Sequence, residues 1–173
     1  MVDNAWDADA ENVHITIPLN LFTTEAIVVQ DDGIGMSASQ VMGDYLNIAY
    51  NRRIKKGELT LYKKRKVRGH KGIGKFAGLV AANQMEVQTT HNKITSTLVI
   101  NKDDLYNYDN ALEELNIEVI SNASDYSSGT KIILSGLNQD LNLPSVEKLR
   151  ELLIFEFGRQ PEFNIYKFGK GHV

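Results

Sequence analysis

Four short stretches of this chain carry residue types that a folded scaffold alone does not require. In Asp3-Asn4-Ala5-Trp6-Asp7-Ala8, Asn4 and Asp7 stand three apart, so on a helix they share a face. An asparagine oxygen is a hard, neutral ligand that suits one position around Mg²⁺, with phosphate and water filling the others. In Asp31-Asp32-Gly33-Ile34-Gly35-Met36 a carboxylate follows a short apolar run and meets two closely spaced glycines. Such a carboxylate can accept a hydrogen bond from an exocyclic amine such as the adenine 6-amino group, and the glycines let the backbone turn sharply and approach a planar ring. Gly69-His70-Lys71-Gly72-Ile73-Gly74-Lys75 leads into a helical pattern. Unobstructed N–H groups and the field of a helix N-terminus there would make a cradle for phosphate. The run lacks the Gly-x₄-Gly-Lys-Ser/Thr of a Walker loop, and no apolar strand leads into it as in a dinucleotide fingerprint. Finally, Gly129-Thr130-Lys131-Ile132-Ile133-Leu134 puts a hydroxyl at a strand start, where it can share hydrogen bonds with Asp31 and a base. Taken singly, each stretch also has a plainer role: a solvated helix face, an acidic turn, a structural glycine trio, a strand threonine.

Together and in this order, the four resemble the Bergerat-type ATP site of the GHKL superfamily, named for gyrase, the ninety-kilodalton heat-shock chaperone, histidine kinases and MutL. The resemblance runs from residue 1 to about 137, and Asp31–Met36 and Gly129–Leu134 look especially like the chaperone and MutL branches. It implies that Asn4 coordinates Mg²⁺ and that Asp7 helps order the pocket. It also implies that Asp31 reads the adenine amine, with Gly35 and Thr130 completing water-bridged contacts and Gly33 and Met36 in the same turn. Backbone groups from Gly69 through His70, Lys71, Gly72, Ile73 and Gly74 would wrap the phosphates, with Lys71 or Lys75 adding charge. Residues from 37 to about 70 would form a lid that closes over ATP.

One departure from the family pattern bears on catalysis. In the gyrase, MutL and chaperone branches a glutamate four residues before the motif asparagine polarises the attacking water. Counting back from Asn4, that position falls just before Met1. The expectation is an N-terminal edge that is truncated, and a chain that binds nucleotide better than it hydrolyses it. Glu11 and Glu25 are poorly placed to substitute, so no catalytic residue is assigned.

The elements that must position these groups follow from periodicity. Residues 3–10 end a helix, and the alternation of Val13, Ile15, Ile17 and Leu19 predicts a half-buried strand over 12–19. Ala26–Val29 predicts a buried strand ending at Asp31, and Ser37 an N-cap for a helix to about Asn51 with Val41, Tyr45 and Ile48 inward. Residues 52–68 have no persistent apolar period and read as a mobile loop or lid, with Leu59, Leu61 and Tyr62 as its anchors. Helix follows from Ile73 to Ala82, then strands Met85–Thr90 and Ile94–Ile100 around the turn His91-Asn92-Lys93. Residues 102–115 read as irregular or helical, and Asn116–Ser121 with Thr130–Leu134 as another strand pair. Pro144 opens an amphipathic helix through Val146, Leu149, Leu152, Leu153 and Phe157, and Phe163, Ile165 and Tyr166 suggest a last strand. The fold class is α+β over a single domain, 1–173: a two-layer α/β sandwich with a mixed, mostly antiparallel sheet and helices on one face.

Composition excludes several alternatives. With no cysteine there is no disulfide framework and no thiolate metal site, and no run approaches the ~20 apolar residues of a membrane span. A cytoplasmic address is expected. The net charge of −3 conceals a segment, Arg52 to Lys75, with eleven basic residues against the single acid Glu58. That segment is either a solvated loop or a contact for an anionic partner. The leading expectation is Mg²⁺-dependent ATP binding in an ATPase-type domain, whose hydrolysis in the complete protein drives lid closure and contacts with a partner or a second copy. The alternative is a non-catalytic, ATP-regulated module that contacts nucleic acid or protein through residues 52–75.

Overall fold

In the computed structural model, residues 1–18, 25–45, 57–69, 76–106, 117–142 and 144–168 are described. Period-two alternation builds the sheet. β1 (Asn12–Thr16) buries Val13 and Ile15 and ends where Pro18 interrupts the pattern. β2 (Ile27–Asp31) buries Val29. β3 (Ala82–His91) and β4 (Ile94–Asn101) form a hairpin whose turn residues Asn92 and Lys93 both have positive φ, 51° and 61°, the geometry of a tight two-residue connection. β5 (Ile120–Ala123), β6 (Ser128–Leu137) and β7 (Asn164–Phe168) complete seven strands in the order β5-β4-β3-β6-β2-β1-β7. Every pairing is antiparallel except β1 with β7.

The helices lie on the face to which the apolar strand positions point. α1 (Val2–Asp7) and α5 (Val146–Phe157) cover β1 and β2, where Ala5, Trp6, Val13, Ile15, Val29, Phe157 and Phe163 form one cluster. α2 (Ala38–Gln40), its π-turn continuation Val41–Tyr45, and α3 (Gly78–Ala81) border a second cluster of Val41, Leu79, Met85, Val87, Leu98, Ile100, Ile132 and Leu134. Met1 packs against both. Met85, Leu98 and Ile100 are almost wholly buried, each contributing about 1.5–3 kcal/mol of transfer free energy. A short helix α4 (Lys102–Tyr106) follows β4. The two-layer, mostly antiparallel α+β architecture is the one expected. Among the described residues no helix is long and apolar enough to cross a membrane.

Several local expectations are corrected. β5 does not pair with β6: β5 sits on the edge beside β4, and β6 runs between β3 and β2. β6 earns the central place because its inward residues Ile132 and Leu134 are buried and it can pair along both edges. Leu59, Leu61 and Tyr62 are more than half exposed and are not the apolar anchors of the segment, whereas Thr60 and Val67 are buried. Pro144 precedes the N-cap, which is Ser145, its Oγ accepting the Lys148 N–H at 3.2 Å. α5 touches the core chiefly through Phe157, with Leu153 beside it, so Val146 and Leu152 stay about half exposed. Ser37 does cap α2, through a capping box with Gln40. The remainder of that predicted helix, including Ile48, lies outside the described residues, as do the first turns predicted from Ile73.

Candidate nucleotide site

Asp31 is the last residue of β2 and continues the inward alternation of Ile27 and Val29, which turns its carboxyl toward the helical layer. Its Oδ1 accepts the Gly33 N–H at 2.9 Å, and the Thr130 backbone N–H donates to the same carboxyl. Burial raises its pKa from 3.8 to about 6 in spite of those two donors, and the neighbouring Asp32 charge pushes the same way. The adjacent acid has a different task. Partial burial opposes ionisation of Asp32, but donors from Asn12 (backbone and side chain) and from the Glu11 N–H, at 2.7–2.8 Å, outweigh it and hold that carboxyl below 3.8. Asp32 staples β1 to β2, leaving Asp31 as the carboxylate of the site.

Three strands bring polar groups into one register row: Asp31 of β2 opposite Thr130 of β6, and Thr130 opposite Thr89 of β3. The two threonine hydroxyls are 3.1 Å apart. Thr89, fully buried, also accepts the Met36 N–H at 2.9 Å. The turn after β2 is thereby held from both sides. The Ile34 N–H donates to the Ala8 carbonyl at the end of α1, and the His91 Nδ1–H donates to the Ile34 carbonyl, each at 2.9 Å. Gly35 has φ +63°, and a Cβ there would overlap the Thr90 carbonyl oxygen. At Gly33 a Cβ would stand 2.8 Å from the Cβ of Ala8. These glycines are required by close approach to Thr90 and Ala8 of the protein itself. Thr89 and His91 escaped the sequence reading. The available signal was a Thr-Thr-His end to an otherwise apolar alternation.

The other end of the site is α1. Asn4 is half-buried, and its side-chain amide makes no hydrogen bond among the described residues. Asp7 is buried, with Oδ1 accepting the Arg68 N–H at 2.8 Å and Oδ2 the Gly69 N–H at 2.9 Å. Asp7 therefore holds the head of the glycine run. His70, Lys71, Gly72, Ile73, Gly74 and Lys75 lie outside the described residues.

The basic segment preceding Gly69 forms a strap over α1. Asp9, at φ 59°, accepts the Tyr62 and Lys63 N–H groups at 2.7 and 3.2 Å. The Trp6 indole donates to the Lys66 carbonyl at 3.0 Å. Arg65 lies 4.5 Å from the Trp6 ring centroid and Arg68 4.2 Å from that of Phe157. Lys63 pairs with Glu11. Much of the positive charge in residues 57–69 is thus committed inside the molecule, a pattern that no local periodicity announces because its partners are distant in sequence. Two histidines have plain structural surroundings: His14 stacks on Tyr166 at 4.9 Å, and His91, the last residue of β3, bonds the Ile34 carbonyl of the turn after β2.

Among the described residues no group of three or more His, Cys, Asp or Glu side chains could hold a metal ion. An all-protein metal cage is therefore not formed there. A lone amide on α1 fits an ion held mainly by phosphate and water, the usual situation of Mg²⁺.

Residues 1–130 match the family of Histidine kinase-, DNA gyrase B-, and HSP90-like ATPases. The chain belongs to this family. As a GHKL ATPase domain it binds ATP, and the mixed, mostly antiparallel seven-stranded sheet fits that fold. The GHKL domain is also 34% identical over 144 residues to a putative type II restriction enzyme, HgiDII, of Herpetosiphon aurantiacus. That alignment covers 82% of this chain but 22% of the relative.

Proposed function

We propose that Asp31 is the adenine-reading carboxylate of a Mg²⁺-dependent ATP site in which Thr130, Gly33, Gly35 and Met36 complete the base pocket. The carrying observation is the half-buried Asp31 carboxyl at a strand end, in register with two hydroxyls and walled by a glycine turn that cannot accept a side chain. Asn4 would hold the metal and Gly69 through Lys75 the phosphates. Bound Mg²⁺ would neutralise charge on the transferring phosphoryl group. This chain's own part is to orient the base and hold the glycine run through Asp7. The character of Asp31–Met36 and Gly129–Leu134 supports a place near the chaperone and MutL branches. Closure of residues 37 to about 70 over ATP would alter contacts with a protein partner or a second copy. Hydrolysis needs a general base, a role given to no residue of this chain.

The test is thermal unfolding with AMPPNP in Mg²⁺ or in EDTA, for wild type and Asn4→Ala. A ligand at 100 times its dissociation constant adds ~2.7 kcal/mol, about 5–10 °C at this size. Loss of the Mg²⁺-dependent part alone in Asn4→Ala supports the metal role, and equal loss in both conditions contradicts it.

The likeness to a putative restriction enzyme favours a second reading, in which this domain is the ATP-responsive part of a protein acting on nucleic acid. Fluorescence anisotropy with a duplex oligonucleotide over 50–200 mM salt, with and without AMPPNP, tests it. Steeply salt-dependent binding that AMPPNP modulates supports the reading; absence of binding at low salt contradicts direct contact by this domain.

A further inference from the structure

We propose that Arg68 is a positioning residue for the metal–phosphate end of the site: it supports affinity for Mg·ATP while leaving affinity for adenosine unchanged. The inference rests on the nucleotide reading above. Arg68 is the last residue before the glycine run, and its backbone N–H and that of Gly69 both end on the Asp7 carboxylate of α1. Its guanidinium covers two rings, 4.2 Å from the Phe157 centroid and 5.1 Å from that of Trp6. Nη2 donates to the Glu156 carbonyl at 2.9 Å, and Nη1 lies 3.4 Å from the Glu156 carboxylate and 3.6 Å from that of Asp3. Asp3 immediately precedes Asn4. One side chain thus ties the last turn of α5 to the start of α1, while its main chain delivers Gly69 to the end of α1.

This arrangement bears chiefly on one end of the site, since the base turn meets the last turn of α1 through the Ile34 N–H on the Ala8 carbonyl, away from Asp3 and Asn4 at its start. Asp31, Thr130, Thr89, Gly33 and Gly35 draw their hydrogen bonds from β3, β6 and the turn after β2. None of them bonds to residues 57–69 in the described structure. Loosening Arg68 should shift Asn4 and Gly69 relative to one another and leave the base pocket standing. Lysine cannot replace it, because an ammonium is a compact point charge that cannot cover two rings and hydrogen-bond in a planar fork at once. Arg65 supplies the control. It also stacks on Trp6 and donates to the Ala10 and Glu162 carbonyls at 2.7 and 2.9 Å, but its backbone N–H goes to Thr60 and not to Asp7.

The experiment is calorimetric titration of the full chain with Mg·ATP and, separately, adenosine, for wild type, Arg68→Lys, Arg68→Gln and Arg65→Lys, with melting temperatures alongside. Expected is a loss of about tenfold in Mg·ATP affinity for both Arg68 variants, with adenosine affinity within about twofold of wild type. Arg65→Lys should leave the ratio of the two affinities unchanged even where it lowers the melting temperature. Equal losses for both ligands in the Arg68 variants, or no loss for either, would overturn the inference, as would the same split in Arg65→Lys. Wild type binding neither ligand would instead overturn the nucleotide reading, and this inference with it.

Discussion

Half-buried at the end of β2, the Asp31 carboxyl has its pKa raised by desolvation from 3.8 to about 6, so the folded chain holds this proton more tightly than the unfolded chain does. Its favourable contribution to stability is complete below about pH 4 and is lost as pH rises through 6. At about 1.36 kcal/mol per pH unit, the interval corresponds to about 3 kcal/mol of folding free energy absent above pH ~7. Asparagine keeps a carbonyl oxygen for the Gly33 and Thr130 N–H groups and carries no charge. Hydrogen bonds to a neutral acceptor are weaker than those to a carboxylate, so Asp31→Asn should recover about 1–3 kcal/mol, or roughly 2–10 °C. Urea unfolding of ligand-free protein at pH 5, 6, 7 and 8 measures it. The stability difference should be about 1.4 kcal/mol smaller at pH 5 than at pH 8, with most of that change between pH 5 and 6. A variant no more stable than wild type at pH 8, or a difference that does not vary with pH, would refute the reasoning. A stabilised variant that has lost its ligand would be the usual trade of stability against function at a site.

By the same titration, protonation of Asp31 should weaken nucleotide affinity as pH falls from 7 to 5, and a flat calorimetric profile would count against its contact with the adenine amine. Gly35→Ala forces a Cβ into the Thr90 carbonyl at φ +63°; it should lower stability by about 2 kcal/mol or more, while Gly43→Ala, with nothing within 4 Å of its Cβ, should not. Thr89→Val keeps the shape but leaves the Met36 N–H without its partner; a loss of about 1–3 kcal/mol in urea unfolding is expected, with weaker nucleotide binding. Trp6→Ala should remove about 3–5 kcal/mol, whereas Leu61→Ser, at an exposed strap position, should stay within about 0.5 kcal/mol.

Much of the scaffold was legible because short-range rules govern it. The β3–β4 hairpin, the Ser37 cap, the start of β1, the end of β2 and the last strand follow from alternation, turn chemistry and capping within a few residues, whereas β1 stops at Thr16 and not at residue 19. The glycine turn after Asp31 was legible for the same reason. Strand order was not, since nothing local tells β6 to enter between β2 and β3. The strap was misjudged because its apolar residues Leu61 and Tyr62 are exposed, while Arg65 and Arg68 anchor it on Trp6, Phe157 and Phe163. A basic run looks alike in sequence whether its cations meet solvent or the faces of distant aromatic rings. Asp7 shows the same limit: helical spacing put it beside Asn4, but only the fold shows that its carboxylate is spent on two backbone N–H groups.

The measurement that bears most directly on the central claim is calorimetric titration of AMPPNP with Mg²⁺ into wild type and Asp31→Asn at pH 7.5, both confirmed folded by their unfolding curves. The account predicts saturable one-site binding to wild type and its loss in Asp31→Asn, in spite of that variant's greater stability. Equal affinity in the two proteins would contradict the assignment of Asp31 to adenine.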